Sequence, residues 1–327
     1  MFTIKNVPVF GAFISGIILF APAYADDGAR DVSATLLKEG LNVLASENIV
    51  DTLKGKSLQV AAGIVDEQTK NILSPYFNSI ESSVSVGDSL NGATYEIIGL
   101  KAYDDDGKDD GFFFNQLGFN YYDKRKTLNL GLGYRHLLDD KRWMLGANIF
   151  YDHEFPNNHQ RGGAGFEIKS SIFKVAYNHY LGLSGYKKDL SGTDSKALDG
   201  HDIRLSATLP YLPGATLGYE EFLWEGDGSA TDLEGRKLSL SGNLSQYLRV
   251  DAGRTHYKDN ARSDDNWAKL TFQLNFWPST SQRAPLLFDV ADTPYQLTAI
   301  DYARYNPVQR ENKIVKQKIF AATVTGN

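Results

Sequence analysis

The side chains able to carry out chemistry are few, and their spacing is loose. Six histidines, His136, His153, His159, His179, His201 and His256, are spread over more than a hundred residues. The densest group is Asp152-His153-Glu154 with His159 just behind it. A His beside carboxylates can ligate a divalent cation or assist hydrolysis. The same residues in a hydrated connection need no such role, and that is the simpler reading. Asp104-Asp105-Asp106-Gly107-Lys108-Asp109-Asp110 resembles a calcium loop only at first sight. The spacing of such a loop calls for an acid at 102 and a Glu at 113, where this chain has Ala102 and Phe113. It therefore reads as a hydrated turn.

Other chemistries are excluded by composition. With no Cys in 327 residues, thiolate metal sites, thiol catalysis and stabilising disulfides are ruled out. The formal net charge of −6 argues against a nucleic-acid partner. Gly131-Leu132-Gly133 and Gly162-Gly163-Ala164-Gly165 open no helix, so they are not phosphate loops; inside strands they relieve crowding or allow curvature. The expectation is a protein with no catalytic residue, no cofactor and no metal, which is not an enzyme.

The elements that position these residues alternate with a period of two. Leu270-Thr271-Phe272-Gln273-Leu274-Asn275-Phe276 shows it plainly, with Leu and Phe on one face and Thr, Gln and Asn on the other. Strands are predicted at 83–88, 94–103, 111–122, 127–137, 142–152, 160–169, 171–182, 201–209, 214–224, 235–243, 246–257 and 266–277. The fold expected is an all-β transmembrane barrel of twelve antiparallel strands spanning 83–277. Ahead of it, Lys5, the apolar run Val9 to Phe20 and Ala23-Tyr24-Ala25 have the three parts of a signal peptide over 1–25. Residues 26–82 read as a short periplasmic helical region, with Leu37, Leu41 and Leu44 on one stripe. Residues 278–327 form a tail. Connections alternate between long and short, as external loops and periplasmic turns do, and that puts the protein in the outer membrane of a Gram-negative bacterium, with lipid as its first partner.

Parity within the strands assigns the two faces. Leu128, Leu130 and Leu132, Ile203 and Leu205, and Leu238 and Leu240 face lipid, because an arginine there would cost about 2–4 kcal/mol at mid-membrane. Asn129, Arg135, Arg204, Arg249, Asp251 and Gln273 then line the pore. Their charges pair across the wall or guide a passing chain. Trp143, Trp224, Trp267 and Trp277 all fall at strand ends, and are expected to form aromatic girdles at the two membrane interfaces.

The order of motifs resembles the inverse autotransporter β-domain of intimin and invasin proteins. It is carried by Gly111-Phe112-Phe113-Phe114-Asn115-Gln116-Leu117-Gly118, Thr127 to Arg135, Trp143 to Asp152, His159 to Gly165, Asp202-Ile203-Arg204 before Leu209-Pro210, and Leu217-Gly218-Tyr219-Glu220, with a weaker echo at Asn312-Lys313-Ile314-Val315. The segment Ile72 to Phe77 departs from the family's usual Trp and Phe-Gly pattern. The resemblance implies a twelve-stranded barrel that anchors and exports a C-terminal passenger of immunoglobulin-like domains, linked to adhesion and virulence. It also implies that Phe276 ends the signal read by the outer-membrane assembly machinery. Only 50 residues follow Trp277, whereas an immunoglobulin-like domain needs about 100, so the expected passenger is a separately encoded protein. The tail is long enough to thread the lumen, with Tyr302 to Arg310 and Lys313 to Phe320 as its ordered part. An outer-membrane pore or loop-mediated adhesin with no export role is the alternative.

Overall fold

The computed structural model describes residues 73–87, 93–103, 110–228, 230–258, 262–276 and 283–319. The expected signal peptide, the expected helical region up to residue 72, most of the acidic stretch at 104–110, and Trp277 lie outside the described residues.

Fifteen strands are described, and twelve of them close a barrel. In chain order the first seven are β1 (Ser79–Val86), β2 (Thr94–Tyr103), β3 (Gly111–Tyr122), β4 (Arg125–Leu138), β5 (Trp143–Phe155), β6 (His159–Ser170) and β7 (Phe173–Gly182). Two short strands, β8 (Lys187–Lys188) and β9 (Asp194–Ala197), leave the wall. It resumes with β10 (Gly200–Leu209), β11 (Leu212–Trp224), β12 (Leu233–Asn243), β13 (Leu248–Tyr257) and β14 (Asp265–Asn275). A last strand, β15 (Lys316–Ile319), comes from the tail. Each wall strand pairs antiparallel with its neighbours, and β1 closes the ring on β14, with Ser79 opposite Asn275 and Val86 opposite Ala268. Closure leaves no open sheet edge in the lipid, which a spanning sheet requires.

Alternation is what makes these residues a wall. Along β12 the odd positions Ser239 and Ser241 face inward, while Leu238 and Leu240 are about half exposed on the outer face. Tight turns fix the register at one end: Asp139, Asp140 and Lys141 all take positive φ between β4 and β5. By the rule that outer-membrane barrels have short periplasmic turns and long outer loops, this short-turn end faces the periplasm.

Local alternation misses three features. β1 begins at Ser79, so the last residues assigned to the helical region belong to the wall. β5 continues to Phe155, past the expected end at 152. The long connection after β7 is not a bare loop: β8 and β9 form a hairpin, and β15 joins it in a three-stranded sheet outside the barrel. Nothing near residue 316 in the sequence announces a partner at residue 197.

Candidate functional site in the barrel lumen

The lumen is occupied by the chain's own tail. From the periplasmic end, Leu287 N–H donates to the Asn243 carbonyl, Ala291 N–H to Tyr211, Thr298 N–H to the Ser171 hydroxyl, and Ile300 N–H to Lys141, so the segment runs beneath four turns. One short helical turn, Asp301–Ala303, lifts it into the barrel, and residues 304–315 climb to the outer rim, where β15 pairs with β9. At about 3.3 Å per extended residue, these twelve residues cover roughly 40 Å, enough for the hydrocarbon core of a bilayer.

The wall from β1 to β7 grips this segment mostly through its backbone. Arg135 donates to the Arg304 carbonyl at 2.7 Å, Asn178 to Gln309 at 2.9 Å, and Asn129 to Asn312 at 3.0 Å. Arg161 spans two carbonyls, Glu311 at 2.6 Å and Lys313 at 2.9 Å. In return, Gln116 accepts from Val308 N–H at 2.8 Å. A fixed guanidinium fork can satisfy several carbonyls at once without reading the side chains beside them. Apolar contact supplies the rest: Ile300, Ala303, Tyr305 and Val308 pack against Leu100, Phe112, Phe114, Leu137, Met144 and Phe150.

A few side chains of the tail are bound as well, Asn312 by Glu96 among them, and Arg310 most fully. Arg310 binds both oxygens of Asp152, at 2.8 and 2.6 Å, with its guanidinium 4.1 Å from the centre of the Phe150 ring. Asp152 also accepts from Arg161 at 2.8 Å and Asn129 at 2.7 Å. Next on the same face, Glu154 holds Lys316 at 2.6 Å and Arg125 at 2.9 Å. All of these carboxylates are buried and ion-paired, as a charge in such a place must be.

That arrangement corrects the reading of Asp152, His153, Glu154 and His159 as one loop cluster. Because β5 continues through these residues, Asp152 and Glu154 point inward while His153 faces outward between Tyr151 and Phe155. His159 is buried and meets the Ser195 hydroxyl at 3.0 Å, pinning the external hairpin. His153 therefore lies on the opposite face from Asp152, Glu154 and His159, and the four do not form one cluster.

The six residues expected in the pore all project inward, in two groups. Asn129, Arg135 and Gln273 touch the tail, Gln273 through Asn306 at 2.9 Å. Arg204, Arg249 and Asp251 face a cavity of about 490 Å³ left between the tail and the β10–β14 side. There Arg204 pairs with Asp202 at 3.1 Å and Glu220 at 3.5 Å, and Arg249 with Asp251 at 2.8 Å. Sequence reasoning misses Asp152, Arg161 and Tyr180, although each shares the parity of its strand's other inner residues.

The tryptophans divide. Trp143 faces outward against Phe173, with ring centres 5.1 Å apart. Trp224, 3% exposed, lies tilted against Tyr180 with ring centres 5.0 Å apart inside the barrel, and Trp267 lines the cavity. A girdle argued from strand ends alone overlooks parity, since Trp224 is in step with Glu220 and Trp267 with Lys269. The outward aromatics at the short-turn end are Phe113, 67% exposed, Tyr134, Trp143 and Phe173. Phe276 follows β14 directly and donates its N–H to the Asn78 carbonyl at 2.9 Å.

Outside the membrane, the three-stranded sheet is held by charge. Lys318 reaches Asp189 at 2.8 Å, and Ser191 and Thr193 donate to the same carboxylate. The Lys318 bond, followed by that of Ser191, holds the Asp189 carboxyl well below the usual range. Lys196 and Tyr186 likewise lower Asp227.

Known proteins share this architecture. The family profile described as "Inverse autotransporter, beta-domain" matches residues 33–312. Intimin of Citrobacter freundii is 28% identical over 322 residues, covering 93% of this chain and 32% of the relative. The inverse autotransporter adhesin YeeJ of Escherichia coli (strain K12) is 34% identical over 234 residues, covering 66% of this chain and 10% of the relative. The chain thus spans about a third of the length of the intimins it matches. A structure solved in a study of in-meso crystallization of membrane proteins superposes with a TM-score of 0.63 at 25% identity, covering 75% of this chain and 100% of that one.

Proposed function

The chain belongs to the inverse autotransporter β-domain family, and from that premise we propose that it is an outer-membrane translocator and anchor whose own C-terminal segment occupies the export path. The observation that carries this reading is the direction and grip of residues 301–315. They enter at the short-turn end, leave at the long-loop end, and are held mainly by donors to backbone carbonyls. A wall that binds peptide carbonyls suits a conduit through which many different sequences pass. Arg310 on Asp152 then fixes the final position, as an anchor requires.

The cargo best supported is a segment continuous with the tail, displayed at the cell surface for adhesion. A separately encoded passenger, the expectation from tail length, sits less well with this lumen, because residues 301–315 would first have to leave it. The assembly machinery would read the end of β14 at Phe276, which this reading retains as a partner-facing signal.

Conductance across lipid bilayers tests the proposal. Deleting Pro278 to Asn327 should raise single-channel conductance severalfold over the full chain. Equal conductance before and after the deletion would support the open diffusion pore and sink the translocator reading.

A further inference from the structure

The cavity beside the tail carries an imbalance of charge at its short-turn end. Lys169 on β6 and Lys174 on β7 lie directly opposite each other across the strand pair. Like charges in that position destabilise a sheet unless something answers them. Lys169 shares one carboxylate, Glu167, with Arg135: Glu167 lies 2.8 Å from Lys169 and 2.7 Å from Arg135. Lys169 is buried, and its Nζ, though close to Glu167, has no well-aligned hydrogen-bond acceptor. Lys174 has no ion-pair partner among the described residues. Two cations, Lys169 and Arg135, therefore depend on one carboxylate. Arg249 faces the same space from β13, near enough for its charge to act on Lys174, and is itself paired with Asp251. Glu81 also lines the cavity, and its charge acts on Lys169 and Lys174 as well as on Lys269 and Arg249, without an ion pair to either of the first two.

We propose that the corner formed by Lys169, Lys174 and Arg249 is a binding site for a small multivalent oxyanion, a carboxylate- or phosphate-bearing solute. The cavity reaches the turns Ser170–Ile172 and Ser245–Tyr247, so such a solute enters from the short-turn end. At the outer end, Val315 and Leu198 pack with Tyr180, Phe222, Trp224 and Tyr257 into an apolar seal. The site is thus a blind vestibule rather than a channel. Ser206, opposite Lys174 on β10, adds a neutral donor. A bound anion would neutralise the facing lysines and stiffen the β6–β7 pair.

The test uses the full chain in detergent, with citrate titrated by calorimetry and inorganic phosphate as competitor. Saturable citrate binding is expected, displaced by phosphate and weakened about tenfold or more in Lys174→Gln, because charge-assisted bonds dominate such sites. Lys258→Gln, on an outer loop where the lysine pairs with Glu221 and Glu234, should bind like the parent. Unsaturable heats, or equal binding by the parent and Lys174→Gln, would overturn the site. Should Lys174→Gln not fold, citrate protection of Lys174 in the parent from acetic anhydride, read by mass spectrometry, separates the same two outcomes. Protection supports the site, and acetylation of Lys174 at an unchanged rate rejects it.

Discussion

Arg310 and Asp152, 158 positions apart in sequence, close on each other with two hydrogen bonds of 2.8 and 2.6 Å inside the barrel. This pair joins the tail segment to the wall that surrounds it. Asp152 answers a second cation, Arg161, so the two partners are not equivalent.

Removing the carboxylate should therefore cost more than removing the tail arginine. Asp152→Asn leaves two buried guanidinium groups short of a counter-charge, and breaking a buried pair typically costs about 3–5 kcal/mol. Arg310→Gln leaves Asp152 still paired with Arg161 and should cost less. Limited proteolysis of the folded protein checks this, with cleavage in 301–315 expected to be fastest in Asp152→Asn. Faster cleavage in Arg310→Gln would reverse the assignment.

The inner wall opposite the apolar part of the tail has no room for side chains at two glycines. A Cβ on Gly133 would come within 2.3 Å of the Phe114 ring and 2.8 Å of the Ala147 carbonyl, and one on Gly131 within 2.3 Å of Phe150. Gly133→Ala should destabilise by about 1–3 kcal/mol through overpacking. Thermal unfolding in detergent measures it. Because the Ala147 carbonyl is backbone, trimming Phe114 in the same chain should recover only part of the loss.

Lipid and lumen faces should respond oppositely to the same substitution. Leu240, half exposed on the outer face, changed to Arg should cost about 2–4 kcal/mol of folding free energy in bilayers. Ser241→Arg, one residue on and facing the cavity, should cost clearly less. Urea-dependent folding into lipid vesicles compares them, and equal penalties would mean that parity does not set the faces.

Acid should loosen the outer sheet before the barrel. The folded Asp189 carboxyl titrates well below the ordinary Asp value of about 3.9, because Lys318 and Ser191 favour its charged form. Its contribution is then complete above that ordinary value and is lost as pH falls toward the lower folded one. Hydrogen exchange at residues 316–318 should be unchanged between about pH 5 and 8 once corrected for intrinsic rates, and should accelerate below about pH 4. In Asp189→Asn that acceleration should disappear.

Much of the wall is legible because a barrel strand is specified locally. The strands at 94–103 and 111–122 can be read to the residue, since lipid on one side and water on the other impose the period directly. The same parity turns Arg135, Arg204 and Arg249 inward. It fails where it is not followed far enough: Trp224 and Trp267 share the inner face, and β5 carries Asp152 and Glu154 into the lumen.

The sequence by itself determined the period, the strand count and which face is which, because adjacent residues of a wall strand meet different solvents while residues two apart meet the same one. Only the tertiary structure decided which inward residues do anything together. Asp152 meets Arg310, Arg135 meets the carbonyl of Arg304, and β15 meets β9 only after the ring has closed and the tail has turned back through it. Those contacts join segments more than a hundred residues apart, and no local pattern encodes them. The physical reason is that a closed wall gives buried charges one interior, and each must find its partner there.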